Sequence, residues 1–257
     1  MKGLIKRIIL AAGYEIRHKS VATADPFRQQ SMLLSGVLAP VIFDAGANTG
    51  TIAETYRYIF PDAKIYAFEP FAEVFEELER SVCRDKRIIP RKLALGSAPA
   101  TKVLRVNASS ATNSLLETED SAASFWGEGL LETTTTVEVQ VATIDEFCSE
   151  NKIESIDVLK IDTQGTELEV LRGAAGMLSR GRIRIIYTEM IVVPSYKGQS
   201  KPHELMSFLD GFGYDLLGLY NLWSRNDGRL LQMDAIFVRS QSIGCDSQER
   251  ISLRKVG

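Results

Sequence analysis

The stretch Val41-Ile42-Phe43-Asp44-Ala45-Gly46-Ala47-Asn48-Thr49-Gly50 decides the fold, because a run of apolar residues ends in an acid and a turn of small residues. Such a run is typical of a strand buried on both faces of a parallel sheet. Glycines at its carboxyl end let the backbone approach a ligand closely, and ligands of open α/β sheets bind at that edge. The stretch therefore predicts a strand followed by a nucleotide-binding loop.

The glycine spacing distinguishes this loop from two common phosphate-binding motifs. It reads D-x-G-x-N-x-G, whereas a dinucleotide fingerprint reads G-x-G-x-x-G and a P-loop ends in G-K-[ST]. The second apolar run, Lys64 to Phe68, leads into Glu69, which places a carboxylate where such folds accept hydrogen bonds from ribose hydroxyls. These features predict an adenosine-type ligand without phosphates and disfavour a nicotinamide-dependent oxidoreductase.

Apolar runs alternate with helical patterns along the rest of the chain, which predicts a parallel sheet flanked by helices. Further strands are predicted at Lys64 to Phe68, Ile88 to Leu95, Leu104 to Val106, Thr136 to Val141, Ile156 to Ile161, Ile183 to Thr188, Tyr214 to Leu219 and Ala235 to Val238. Helices are predicted at Thr51 to Ile59, Phe71 to Arg84, Ile144 to Asn151, Glu167 to Leu178 and His203 to Gly211. A chain of 257 residues with 45% hydrophobic content can bury one such α/β domain.

The domain is expected to cover residues 39–240, after an N-terminal helical extension over 1–38 and before a C-terminal tail over 241–257. Within it, residues 107–135 are rich in Ser, Thr, Ala and acids and predict a long loop. That loop is either a lid anchored by Phe125-Trp126 or a mobile surface excursion.

The N-terminal segment allows two interpretations. Leu4, Ile5, Ile8 and Ile9 recur at helical spacing among basic residues, so a helix there either packs on the core or lies on an anionic membrane surface. The apolar part is too short to span a bilayer, and no convincing signal-peptide cleavage site follows. Packing on the core of a soluble protein is the favoured interpretation.

Charge and cysteine usage exclude several other classes of protein. A formal net charge of −3 and a pI near 5.6 argue against broad nucleic-acid binding, which normally requires a basic surface. Cys83, Cys148 and Cys245 are odd in number and far apart, so neither a disulfide framework nor a cysteine metal site is expected. This cysteine usage predicts a cytoplasmic protein.

Several motifs stand in an order that resembles the FkbM family of S-adenosylmethionine-dependent methyltransferases. They are FDAGANTG ending at Gly50, AFEP ending at Pro70, LALG from Leu93 to Gly96, VLKIDTQGTELEVLRG from Val158 to Gly173, IIYTEM ending at Met190, and DAIFV from Asp234 to Val238. The resemblance implies a class I methyltransferase fold, Rossmann-like, with a mostly parallel seven-stranded sheet and an antiparallel last strand. It also implies S-adenosylmethionine as cofactor and O-methylation of a sugar, glycan or secondary-metabolite hydroxyl.

We expect this cofactor to lie against the glycine loop and the end of the second strand. Asp44 and Glu69 would offset its positive charges, Glu69 would bind the ribose, and the backbone amides of Gly46 and Asn48 would hold its carboxylate. A turn-capping Asp44 and a solvated Glu69 are the alternatives. The full set of expected cofactor residues is Asp44, Gly46, Asn48, Gly50, Glu69, Asn113 and Ser114, the last two from the resemblance alone.

A second group of acids follows the later strands and predicts the acceptor side of the crevice. A hydroxyl acceptor needs a base within reach, and the candidates are Glu189, Asp162 and His203. Glu189 and Asp162 end strands, whereas His203 would act through an imidazole that titrates near neutrality. Helix capping by Asp162 and simple exposure of His203 are the alternatives.

The acceptor is expected to be a small molecule or carbohydrate, and no metal site is expected. The family often has a glutamate where this chain has Gln164, which removes one formal charge from the crevice. Two other functions stay open at this stage. They are N-methylation of a small molecule, protein or RNA, and S-adenosylmethionine binding without turnover.

Overall fold

A twisted seven-stranded sheet lies at the centre of the computed structural model, which describes residues 25–240. The strands are β1 (Val41–Ala45), β2 (Lys64–Phe68), β3 (Ile88–Arg91), β4 (Ala94–Leu95), β5 (Ala100–Asn107), β6 (Thr133–Ala142), β7 (Ile156–Ile161), β8 (Ile183–Ile191), β9 (Tyr214–Ser224) and β10 (Leu230–Arg239). The helices are α1 (Pro26–Leu33), α2 (Thr51–Ile59), α3 (Ala72–Val82), α4 (Ala123–Trp126), α5 (Ile144–Glu150), α6 (Glu167–Arg172), α7 (Ala175–Ser179) and α8 (Pro202–Asp210), with a 3-10 turn at Ser110–Thr112.

The strand order of the central sheet is β3-β2-β1-β7-β8-β10-β9. Every neighbouring pair from β3 to β8 is parallel, and β10 is antiparallel to both β8 and β9. A smaller sheet has the order β4-β6-β5 and lies beside the main one. The expected α/β fold, with a mostly parallel seven-stranded sheet and an antiparallel last strand, is confirmed.

Each face of the sheet buries its own apolar layer, because successive side chains of a strand point to opposite faces. On one face Phe43 and Phe68 pack with Phe147 of α5, with ring centroids 4.9–5.7 Å apart. On the other face Ile42 and Ile185 lie in the layer that includes Tyr56 of α2. The strand ends between these layers are therefore held in fixed positions.

Two predicted elements are divided in the structure. The strand predicted over Ile88 to Leu95 becomes β3 in the main sheet and β4 in the small one, with a turn where Leu93 N donates to Arg91 O. The helix predicted over Glu167 to Leu178 is interrupted at Gly173, where the chain passes close to another loop. A Cβ atom at Gly173 would lie 2.0 Å from the carbonyl oxygen of Gly96.

The long loop expected over residues 107–135 contains the 3-10 turn, α4 and the start of β6. The segment is attached to the chain just after β8. Trp126 Nε1 donates to Ser195 Oγ at 2.7 Å, and Tyr196 Oη lies 3.0 Å from Thr112 O. The segment therefore forms one wall of the crevice above the strand ends.

The predictions for the two chain ends, including the N-terminal helix up to residue 24 and the tail from residue 241, lie outside the described residues. Between residues 25 and 240, no helix combines the length and apolar character needed to cross a bilayer.

Candidate functional site

The loop after β1 has a backbone that few side chains tolerate. Gly46, Asn48 and Gly50 all have positive φ, at 76°, 47° and 96°. A Cβ atom on Gly46 would lie only 1.8 Å from the carbonyl oxygen of Asp162. Glycine is therefore required there, because the loop after β1 touches the loop after β7 backbone to backbone.

The amides assigned to a ligand carboxylate are already used inside the protein. Gly46 N donates to Phe68 O at 3.1 Å, and Asn48 N donates to the Glu69 carboxylate at 3.1 Å. That part of the sequence interpretation needs revision, although both residues line the cavity above the loop. The amides instead fix the end of β1 to the end of β2.

Glu69 is buried at the end of β2 and accepts two backbone hydrogen bonds, from Asn48 N and from Phe71 N at 2.9 Å. Burial raises the pKa of Glu69 to about 7, although the hydrogen bonds oppose this effect. Glu69 lines the same cavity as Gly46 and Asn48. The residue expected to bind the ribose is thus a buried carboxyl group whose pKa lies near neutrality.

Asp44 lies beneath the glycine loop in a fully buried ion pair that the sequence analysis did not predict. Lys160 Nζ is 2.9 Å from Asp44 Oδ1, and the same nitrogen donates to Gly46 O at 2.9 Å. The contact with Asp44 is an ion pair outside hydrogen-bond geometry. Burial alone would lower the pKa of Lys160, but the carboxylates of Asp44 and Asp162 outweigh it and raise that pKa. Asp44 therefore supports the loop electrostatically from below.

Asn113 and Ser114, the pair taken from the resemblance, have different surroundings. Asn113 lines the cavity beside the glycine loop, and its buried Nδ2 has no hydrogen-bond partner within residues 25–240. Ser114 Oγ donates to Gln164 O at 2.7 Å. Asn113 therefore offers a free donor to a ligand, whereas Ser114 holds the loop after β7.

Gln164 connects the two predicted acids of the acceptor side. Its Nε2 donates to Asp162 Oδ1 at 2.8 Å and to Glu189 Oε2 at 3.0 Å. Its Oε1 accepts a hydrogen bond from Tyr196 Oη at 2.9 Å, which fixes the orientation of the amide. The backbone of Gln164 has a φ of 54°, a strained conformation of the kind that clusters at functional sites.

Glu189 is buried, with 8% of its surface exposed, whereas the Asp162 side chain is 40% exposed. Burial raises the pKa of Glu189 well above its usual range, and the nearby carboxylates of Asp162 and Glu167 add to the effect. A carboxyl group of this kind holds its proton more strongly than an exposed one. When ionised, it is a stronger base than an ordinary glutamate.

Glu167 shapes the loop between β7 and α6. Its Oε1 accepts hydrogen bonds from Thr163 N at 3.1 Å and Gly165 N at 2.9 Å. Burial raises the pKa of Glu167 to about 7. Glu167 is thus both the first residue of α6, where an acid suits a helix start, and a direct support of the turn that carries Gln164.

Two cavities meet at this turn. The first contains the glycine loop, Glu69 and Asn113, and the second contains Glu189 and Tyr196. Ala111, Asp162 and Gln164 line both. The two cavities are therefore adjacent, and Asp162 and Gln164 belong to the lining of each.

His203 is exposed near the start of α8 and is absent from the lining of both cavities. The structure brings Glu189 and Asp162 together but does not bring His203 to them. Sequence reasoning missed Lys160, although a lone cation inside the apolar run Ile156–Ile161 is a signal that could have indicated it. It also missed Tyr196 and Trp223, which reach the second cavity from separate elements.

The fold, the glycine loop and the acid after β2 define an S-adenosylmethionine-dependent methyltransferase of class I. The chain belongs to the FkbM methyltransferase family, because the model of the methyltransferase FkbM domain matches residues 44–216. S-adenosylmethionine is accordingly its cofactor. The buried Asn113 Nδ2, which has no hydrogen-bond partner within residues 25–240, and the Glu69 carboxyl beside it in the lining of the first cavity fit a bound cofactor there.

Two relatives with assigned activities share part of this sequence. The 2-O-methyltransferase NoeI of Sinorhizobium fredii is 26% identical over 181 residues, covering 67% of this chain and 72% of that protein. The hexuronic acid methyltransferase AglP of Haloferax volcanii is 28% identical over 139 residues, covering 54% of this chain and 51% of that protein. The match thus spans about half of AglP and nearly three quarters of NoeI.

A solved structure with similar architecture is TrmK of M. capricolum in complex with S-adenosylhomocysteine. The superposition covers 85% of this chain and 70% of TrmK, with 11% sequence identity and a TM-score of 0.47.

Proposed function

We propose that the protein transfers a methyl group from S-adenosylmethionine to a hydroxyl oxygen of a sugar, glycan or secondary metabolite. The observation that carries this proposal is that two adjacent cavities share Asp162 and Gln164 in their lining. The buried carboxyl of Glu189 lines the second of them. The activities of NoeI and AglP, a 2-O-methyltransferase and a hexuronic acid methyltransferase, support a sugar hydroxyl as acceptor.

The bound cofactor supplies a methyl group on a positively charged sulfur. Transfer of that methyl group to the acceptor oxygen would leave S-adenosylhomocysteine, and the hydroxyl proton would have to pass to a base of the protein. We assign the role of accepting this proton to Glu189, with Asp162 as the second candidate. Alignment of the two reactants contributes on the order of 7–11 kcal/mol, and a positioned base adds roughly 10²–10⁴-fold to the rate.

Only the ionised form of Glu189 accepts a proton. Because burial and neighbouring acids raise the pKa of Glu189, the active form becomes populated at higher pH than for an exposed glutamate. The rate is therefore expected to rise with pH through the range in which Glu189 loses its proton. His203 remains a third candidate from the sequence, but its exposed position lends it no support.

The first experiment identifies the acceptor class. Purified protein is incubated with methyl-labelled S-adenosylmethionine and host extract, which is then separated into glycan, lipid, protein, RNA and small-molecule fractions. Acid-stable label on a hydroxyl of a glycan, lipid or small molecule supports the proposal. Label on an amine supports N-methylation instead, and cofactor binding without labelled product supports a binding module.

The second experiment tests the base. We expect Glu189→Gln to lower kcat by roughly 10²–10⁴-fold, because the amide cannot accept the proton. Affinity for S-adenosylhomocysteine, measured by calorimetry, should stay unchanged, since Glu189 does not line the first cavity. The matched control is Glu77→Gln on the exposed side of α3. Full activity of Glu189→Gln would assign the base to another residue.

A further inference from the structure

The residues that line the second cavity differ in polarity between the part next to the first cavity and the part near the surface. Asp162, Gln164 and Glu189 form a polar floor next to the first cavity. The rest of the lining combines the apolar side chains of Trp126, Leu130, Leu131, Ile191 and Trp223 with a smaller polar contribution from Ser109, Thr112, Ser195, Tyr196 and Gln232. A ligand that fills this cavity therefore meets hydrogen-bonding groups at one end and hydrocarbon or aromatic surface at the other.

Two tryptophans form the mouth, and we refer to Trp126 and Trp223 together as the tryptophan rim. Their ring centroids are 6.0 Å apart and the rings are perpendicular. Trp126 is fixed by the hydrogen bond from its Nε1 to Ser195 Oγ at 2.7 Å. Trp223 is 58% exposed and Leu130 is 39% exposed, so apolar surface at the mouth remains in contact with water. Exposed apolar surface next to a cavity marks a binding site.

The turn between β9 and β10, next to Trp223, makes two contacts with the segment around α4, which contains Trp126. Arg225, in the turn between β9 and β10, donates to Ser124 O at 2.7 Å. The guanidinium of Arg229 lies 5.7 Å from the ring centroid of Phe125. The rim is therefore positioned before any ligand binds, which lowers the entropic cost of using it.

From this arrangement we infer that the acceptor is amphiphilic, with its methylated hydroxyl on the polar floor and an apolar chain or aglycone between Trp126 and Trp223. The inference rests on the proposed function and extends it from the reaction to the class of acceptor. A free sugar covers the floor but leaves the apolar walls hydrated. An acceptor with an apolar group beside the sugar covers both, so the tryptophan rim determines specificity.

The test compares methyl and octyl glycosides of the same sugars, namely glucose, galactose, mannose, N-acetylglucosamine and glucuronic acid. Binding to protein saturated with S-adenosylhomocysteine is measured by calorimetry below the micellar concentration of each glycoside. We expect at least one octyl glycoside to bind at least tenfold more tightly than its methyl partner. In Trp223→Ala this preference should fall by most of that factor, while S-adenosylhomocysteine affinity is retained.

Leu219→Ala is the matched control, because Leu219 is 41% exposed on the same strand but lies outside both cavities. The inference is overturned if no octyl glycoside is preferred, if none binds, or if Trp223→Ala keeps the full preference. Methylation of free sugars without an octyl preference would overturn the amphiphilic acceptor and leave the proposed function intact. Octyl-selective binding without methylation of any hydroxyl would overturn the proposed function and leave the amphiphilic ligand intact.

Discussion

At the scale of single residues, one side-chain amide holds the two acids of the acceptor floor. Gln164 donates to Asp162 and Glu189, and its orientation is fixed by Tyr196. A carboxylate in its place would remove both hydrogen bonds and put a third acid about 3 Å from both Asp162 and Glu189. Like charges at such distances disfavour ionisation of all of them.

We therefore predict that Gln164→Glu lowers the thermal stability of the protein increasingly as pH rises. The native acids of the variant hold their protons to higher pH than the unfolded chain does, so the folded state loses stability as pH rises through that range. Melting temperatures from pH 5 to 8 measure this effect, and Mg²⁺ at millimolar concentration should restore part of the loss. Gln140→Glu on the exposed side of β6 is the control. Parallel profiles for the two variants would contradict the prediction.

The sequence identified residues that end strands, but not their partners across the sheet. Asp44, Asp162 and Glu189 were found because each follows an apolar run. The pairing of Asp44 with Lys160 depends on the register between β1 and β7, which no local pattern contains. His203 was predicted as a possible base from its side chain alone, but it is exposed and lines neither cavity.

At the scale of elements, the turn between β7 and α6 is built around the buried acid of Glu167. The structure predicts that its protonation contributes to stability. Burial raises the pKa of Glu167 from 4.5 to about 7, which corresponds to roughly 3 kcal/mol. Because the folded state binds this proton more tightly, stability should fall as pH rises from about 4.5 to beyond 7.

Glu167→Gln should make this loss of stability shallower. The amide oxygen keeps the acceptor role toward Thr163 N and Gly165 N, while the titration disappears. Urea unfolding at pH 5 and pH 8 gives the difference, with Glu150→Gln at the exposed end of α5 as the control. An unchanged difference between the two pH values would show that Glu167 does not titrate in this range.

Element boundaries were predictable where the pattern was long and regular. The structure places β2 at Lys64–Phe68, β7 at Ile156–Ile161 and α2 at Thr51–Ile59, as the sequence predicted. The pattern failed over Ile88 to Leu95, because one apolar run supplies strands to two different sheets. It also gave no sign of the short elements within 107–135, where a polar sequence is held by contacts with distant residues such as Ser195 and Tyr196.

At the scale of the whole molecule, the first cavity joins the ends of β1, β2 and β7 to the segment after β5. A ligand that binds there stabilises the folded chain as a unit. We predict that S-adenosylhomocysteine at about 100 times its Kd adds roughly 2.7 kcal/mol, equivalent to about 5–10 °C in Tm. Scanning fluorimetry measures this shift, and NAD at the same concentration should give none. A larger shift with NAD would contradict the cofactor assignment.

The backbone of Gly46 packs directly against the carbonyl of Asp162, at the boundary between the two cavities. Gly46 lines the first cavity and Asp162 lines both. Because even a methyl side chain at Gly46 would collide with the Asp162 carbonyl oxygen, alanine at this position would push the two loops apart and change both cavities at once.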